Sequence, residues 1–322
     1  MFGENQQQLI SLFKTVQGTK ADSYSTSLPY YALTGRKGCK VYYDSNDSLV
    51  VVAAHPHVGN KLLVFPELNG NGDLTARILN RLASKGNYVQ LARYTEDDFN
   101  RLETAIQRDL KSLVSDVKLV SEDILDWKYP VHIINAEKIA TLPGKDFSGL
   151  RKVYNRISAR EDIKITPLHD QDGINKIRAS ILIWSGLMIY AGKDTAHDMR
   201  EYYDSLVKYI TAFPEAFDGF IVNYQGEPAG FVIWDDLGGN TATALASLSR
   251  RSISYISEYQ LIEASKILHA KGIGYLNIGG SESLELDRFK LKFRPSESMV
   301  INSYDVEFSL YSGTPIGEIT IA

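Results

Sequence analysis

Two arginines and three serines crowd the segment Ser249-Arg250-Arg251-Ser252-Ile253-Ser254-Tyr255, a composition suited to holding a phosphate by side chains. It contains no glycine, so a Cβ at every position keeps an anion from resting on bare backbone amides. A second cationic run lies upstream. Lys145 and Arg151 precede Lys152, Arg156 and Arg160, which recur every four residues and would share one stripe of a helix. Such a stripe makes a local basic surface; it is also the pattern of a solvated helix face. Carboxylates for proton transfer are offered by Asp235 and Asp236, which close the apolar run Gly230–Trp234. Standing before Gly238-Gly239, they also fit ordinary turn chemistry. Glu258 and Glu282 are weaker candidates. From Arg288 to Arg294, Lys290, Lys292 and Arg294 alternate with Phe289, Leu291 and Phe293, which is also how a half-exposed strand reads.

These groups need a scaffold, and 322 residues suffice for two cores of about 150 residues each. Composition is globular, 44% hydrophobic and 23% charged. The net charge of −4 hides an asymmetry: residues 1 to 160 carry 21 basic against 17 acidic side chains, residues 161 to 322 carry 14 against 22. A local basic surface is therefore compatible with the acidic total. Cys39 stands alone, and His55 and His57 have no third ligand at metal spacing, so neither an internal disulfide nor a metal site is expected. No phosphate-loop or dinucleotide fingerprint occurs. The first 20 residues lack a basic segment followed by an apolar run, and the longest apolar stretch, 179–192, is too short to span a bilayer. That stretch reads as a buried helix, and the expected location is cytoplasmic.

Periodicity and turn residues predict a helix over 5–17, two or three strands within 40–66, and a helix capped by Asp73 and closed by Gly86-Asn87. A strand over 88–93 follows, then a helix over 96–114 with Thr95 as N-cap and Asp98 three residues later. The second half reads as strand 163–168, helices 171–190 and 195–213, and strands 219–225 and 229–235 around a Gly226-Glu227 turn. Strand 242–248, helix 255–271, strand 274–278, helix 281–288 and terminal strands near 298–310 and 315–321 complete it. The Tyr202, Tyr203 and Tyr209 cluster reads as packing.

The order from residue 163 onward is similar to that of the GNAT acyltransferase superfamily, and two segments sharpen the likeness. Ile134–Lys145 followed by Leu150–Ile157 resembles the G-K-x6-R-N-x2-N-x-F signature of the phosphatidylglycerol lysyltransferase C-terminal-like family. Leu276–Pro295 resembles that family's N-x-G-x5-L-x3-K-x2-[FY]-x-P segment. Lys152 stands where the family usually has Asn, and Ile157 where it has Phe.

The resemblance implies an α/β (α+β) fold of two GNAT-like domains in tandem, with mixed, mostly antiparallel sheets flanked by helices. The expected division is residues 1–162 for the first domain and 163–322 for the catalytic one. Coenzyme A-dependent members carry [QR]-x-x-G-x-[GA] before the helix that here starts near Tyr255; its absence points to aminoacyl-tRNA as co-substrate, as in the lysyltransferase family and Fem-type transferases, with no bound cofactor. Arg250, Arg251, Ser252, Ser254 and Asn277 would then hold the donor, and Lys145, Arg151, Lys152, Arg156 and Arg160 the RNA. Phe289-Lys290 resembles the Fem-type Phe-Lys pair, which makes Lys290 the group that steadies the developing oxyanion. Asp235 or Asp236 would take the proton of the attacking amine. The implied acceptor is a small molecule or a lipid headgroup. Acyl-coenzyme A as donor, and a catalytically silent binding module, are the alternatives.

Overall fold

The computed structural model of the chain describes residues 6–17, 27–109, 111–120, 128–168, 171–190, 196–213, 217–238 and 240–309. The first half forms α1 (Gln6–Gln17), α2 (Leu28–Thr34), β1 (Cys39–Tyr43), β2 (Leu49–Ala54), β3 (Lys61–Val64), α3 (Asp73–Ala83), β4 (Tyr88–Tyr94), α4 (Glu96–Arg108) and β5 (Val114–Leu119). Next come β6 (Val131–Asn135), α5 (Ala136–Thr141), α6 (Ser148–Ser158), β7 (Ile163–Pro167), α7 (Gln171–Tyr190) and α8 (Ala196–Ala212). The chain continues with β8 (Asp218–Tyr224), β9 (Glu227–Asp236), β10 (Thr241–Ser249), α9 (Ile256–Ala270), β11 (Tyr275–Asn277), α10 (Leu284–Leu291), β12 (Glu297–Met299) and β13 (Asn302–Phe308). The expected strand over 315–321 lies outside the described residues.

The strands make two mixed sheets, ordered β1-β2-β3-β4-β13-β5 and β12-β6-β11-β10-β9-β8-β7. All pairings are antiparallel except β3 with β4 and β10 with β11. Both sheets therefore match the mixed, mostly antiparallel expectation. Their membership crosses residue 162: β6 lies in the second sheet, and β13 returns to the first between β4 and β5. One apolar core takes Val51, Leu63 and Ala92 from the first sheet and Ile221, Phe231 and Ile233 from the second, joined by α2 and α8. The other face of the second sheet packs on α5, α6 and α9, and that of the first on α3 and α4.

Local chemistry explains most boundaries. Thr95 and Asp98 close a reciprocal capping box at the start of α4. That helix stops at Arg108 rather than near 114, because Val114–Leu119 pairs with β13 instead. Asp73 is not a cap: Gly72 holds that place at φ 95°, Asn71 Oδ1 accepts the Asp73 N–H, and the Asp73 carboxylate meets Arg108. The β8–β9 hairpin turns on Gln225 and Gly226, one residue earlier than expected, with both at positive φ as a tight primed turn requires. The 179–192 stretch is not a buried helix within its described part. α7 buries Ile177 and Ile181 but leaves Leu182, Ile183 and Leu187 exposed, since protein covers only one side of it.

The segment carrying Lys290 is a helix and not a strand. Ser283 caps α10 through its hydroxyl, and the fully buried Phe293 just beyond packs edge-on against Phe289 at 5.5 Å between ring centroids. Phe293→Ala is expected to lower unfolding free energy by roughly 3–5 kcal/mol, read from urea denaturation. A loss under about 1 kcal/mol would show that α10 is held by other contacts.

Candidate functional site

β10 and β11 run parallel, pairing only at Thr241–Tyr275, Ala242–Leu276 and Thr243–Asn277. Beyond that, β10 continues to Ser249 while β11 ends and its loop turns away through Gly279 at φ 74°. The strands thus part like a wedge. At its apex, Asp235 of β9 faces Thr243, and Thr243 faces Asn277, so three polar side chains form one row across the sheet. All three are buried, and Thr243 Oγ1 has no hydrogen-bond partner among the described residues. Asn277 Oδ1 accepts the Gly279 N–H at 2.9 Å and fixes the loop's first turn. Along β10, the Leu245 carbonyl accepts from Tyr202 Oη, and the Leu248 carbonyl, which faces Gly230 of β9, accepts from Gln260 Nε2.

One ionisable group lies in this row, and another holds the loop that follows β11. Asp235 is pushed up to about 7, chiefly by burial, with the neighbouring Asp236 charge adding to the rise. The Ser27 hydroxyl opposes it, donating to Asp235 Oδ2 at 2.8 Å from the N-cap position of α2. Asp236 does not join the site: it is exposed, and its Oδ1 accepts the Gly238 N–H, as turn chemistry dictates. Lys290 of α10 donates its ammonium to the Gly280 carbonyl of the loop after β11. Burial pulls it down to about 8 against the Glu282 and Asp287 charges. Burial raises the Tyr203 phenol of α8, with smaller contributions from Tyr202 and Glu282. Glu258 takes no part, since its carboxylate pairs with Lys292 at 2.9 Å.

At the wedge's open end, six residues or about 20 Å along β10 from Thr243, lies the 250–255 turn. Arg250 and Arg251 line a cleft there with Trp184 and Leu187 of α7. Helix α9 starts from Tyr255 in the left-handed region at φ 70°, without a side-chain cap. Ser252 and Ser254 lie in the turn before it. The cationic segment is only partly the expected stripe. The Arg156 guanidinium stands 5.8 Å from the Tyr255 ring centroid, and Lys152 is exposed on the same helix, as is Lys145 ahead of it. Arg151 instead donates to the Leu142 and Gly144 carbonyls at the end of α5. Arg160 lies beyond α6, where it grips Asp162 bidentately at 2.8–2.9 Å and stacks on Tyr224. A four-residue period cannot align it once the helix has ended.

Thr243, Ser27 and the Gly279–Ser281 turn were not singled out from sequence. The alternation Thr241-Ala242-Thr243 put a polar residue on a core-facing position, which was the available signal. Among the described residues no three His, Cys, Asp or Glu gather as a metal site, and no helix is long and apolar enough to cross a membrane.

No family model matches the sequence, and no curated protein matches it. Solved structures share the fold. L-PGS from Bacillus licheniformis superposes with a TM-score of 0.63 at 15% identity, covering 96% of this chain and 93% of that one. The C-terminal DUF2156 domain of a lysylphosphatidylglycerol synthetase from Agrobacterium fabrum gives 0.64 at 11%, covering 93% and 91%. A tandem GNAT protein from the clavulanic acid biosynthesis pathway gives 0.54 at 8%, covering 94% and 96%. The fold is thus tandem GNAT-like, and the resemblance read in residues 134–157 and 276–295 is met at the level of the fold.

The Asp235 shift has a measurable sign. The folded state holds a proton that an unfolded aspartate releases, so this group's contribution to stability is full below about pH 4 and is lost as pH rises through about 7. The change is on the order of 4 kcal/mol. Asp235→Asn keeps an acceptor for Ser27 and is expected to remove that decline, seen as urea midpoints compared between about pH 4.5 and pH 7.5. An unchanged slope would place the proton elsewhere.

Proposed function

We propose that this chain is an acyltransferase that takes an aminoacyl group from aminoacyl-tRNA and passes it to an amine or hydroxyl of a small molecule or lipid headgroup. The observation that carries the reading is the meeting of Arg156 of α6 with the Arg250–Tyr255 turn at the open end of the wedge. Cations from two segments collect there around a helix start whose positions all bear a Cβ. Arginine forks suit RNA phosphates, and a glycine-free turn offers coenzyme A pyrophosphate little bare backbone. The neighbours named for lysylphosphatidylglycerol synthesis agree with an aminoacyl donor.

The chemistry follows from the apex. An amine or hydroxyl attacking an ester carbonyl produces an oxyanion and must lose a proton. Lys290, buried and near neutrality in its titration, supplies a fixed cation for the oxyanion in its protonated form. Asp235, in its ionised form, accepts the proton; a value of about 7 suits a base working at neutral pH. Asn277 and Thr243 between them offer hydrogen bonds to the ester or the acceptor. Arg250, Arg251, Ser252, Ser254, Lys152 and Lys145 steer the tRNA.

The test is transfer of a labelled amino acid from charged tRNA to a panel of amines, alcohols and lipid headgroups, with acyl-coenzyme A run in parallel. Lys290→Met is expected to lower the rate by roughly 10²- to 10³-fold. Arg156→Ala with Arg250→Ala should weaken tRNA binding and flatten its salt dependence. Transfer from acyl-coenzyme A alone would replace the donor, and binding of neither donor would leave a silent module.

A further inference from the structure

On the opposite face of the second sheet from the Asp235-Thr243-Asn277 row, three side chains that no local motif links form a continuous hydrogen-bonded array. His132 of β6 lies directly across from Ser298 of β12 in the strand register. Its Nδ1 is 2.8 Å from Ser298 Oγ, and its Nε2 is 2.8 Å from Asp287 Oδ1 of α10. The imidazole and the carboxylate are buried, at 2% and 7% exposure, while Ser298 is open to solvent. A carboxylate only accepts, so Nε2 carries the hydrogen donated to Asp287, and Nδ1 is left to accept from the Ser298 hydroxyl. This is the arrangement of an oriented base beside an accessible alcohol: nucleophile, base, and a third group that fixes the base's tautomer.

We propose that Ser298 is an activated nucleophile that takes up the acyl group of an activated small-molecule ester. The Oγ–carbonyl bond forms as the bond to the leaving alcohol breaks. The hydroxyl proton passes to His132 Nδ1 and from there to the departing oxygen, and Asp287 steadies the imidazolium in between. Water then attacks the seryl ester by the same proton path and restores the hydroxyl. The site shares α10 with Lys290, whose titration Asp287 influences, but its nucleophile Ser298 belongs to β12, so labelling of Ser298 reads this proposal and not the transfer reaction.

The experiment treats the full-length protein with a fluorophosphonate probe, whose P–F bond breaks as Oγ bonds to phosphorus and fluoride leaves, and maps the adduct by peptide mass spectrometry. The expected result is a single adduct on Ser298, absent in Ser298→Ala, a change at an exposed position. Asp287→Asn, verified as folded by circular dichroism, should label roughly 100-fold or more slower. An unmodified Ser298 in the unaltered protein overturns the proposal without reliance on any variant, and so does an Asp287→Asn protein labelled as fast as the parent.

Discussion

β10 and β11 stay paired for three residues and then part, and backbone carbonyls of β10 and of the loop after β11 take hydrogen bonds from the side chains of three helices. A buried backbone group without a partner costs about as much as a lost hydrogen bond, so each such carbonyl needs a donor. Tyr202 comes from α8 to the Leu245 carbonyl, Gln260 from α9 to that of Leu248, and Lys290 from α10 to that of Gly280. Three helices are thereby tied to β10 and to the loop after β11. The helix that delivers Lys290 is held in turn by Phe293 in the core below and by Asp287 against His132.

Burial then sets the electrostatics of the opening. Asp235 and Lys290 move toward each other in titration, the acid up to about 7 and the amine down to about 8, because desolvation disfavours the charged form of each. Near neutral pH both sit close to the point where a small change in environment alters protonation. In the transfer reaction proposed above, a carbonyl developing negative charge would draw the proton to Lys290, and the ammonium proton of the attacking group would pass to Asp235. Ser27 limits how far Asp235 can rise, and it belongs to the first half of the chain, so the tuning of this carboxyl depends on how the two sheets are joined.

What was legible in the sequence were features set by neighbours along the chain. The Thr95-Asp98 capping box, the hairpin around Gly226 and the α9 to α10 order are each decided within a few residues. What was not legible depends on distant pairing. Nothing near Val131–Asn135 announces that it will lie between β11 and β12, and nothing near Asn302–Phe308 announces its return to β4 and β5. Site residues divide the same way. Asp235 and Lys290 were legible as types, but the partner that tunes Asp235 is 208 positions away. Arg160 carried the right charge and spacing and Arg151 the right charge, yet nearby acceptors, Asp162 and the Leu142 and Gly144 carbonyls just past α5, claimed them.

Tyr255 shows where the local rules yield to something else. At φ 70° it occupies a region that costs an L-residue roughly 1–2 kcal/mol and a glycine almost nothing. The residue is 41% exposed, so hydrophobic burial recovers only part of that cost. The Arg156 contact contributes about 0.5–1 kcal/mol at such a position. A glycine would relieve the strain but would also remove the platform that holds Arg156 against the 250–255 turn. Strain of this kind persists where the surroundings impose it and concentrates at sites of function. At the open end of the wedge, the side chain that carries the strain is the one that gathers cations from two segments into one surface, the arrangement on which recognition of a polyanionic donor would rest.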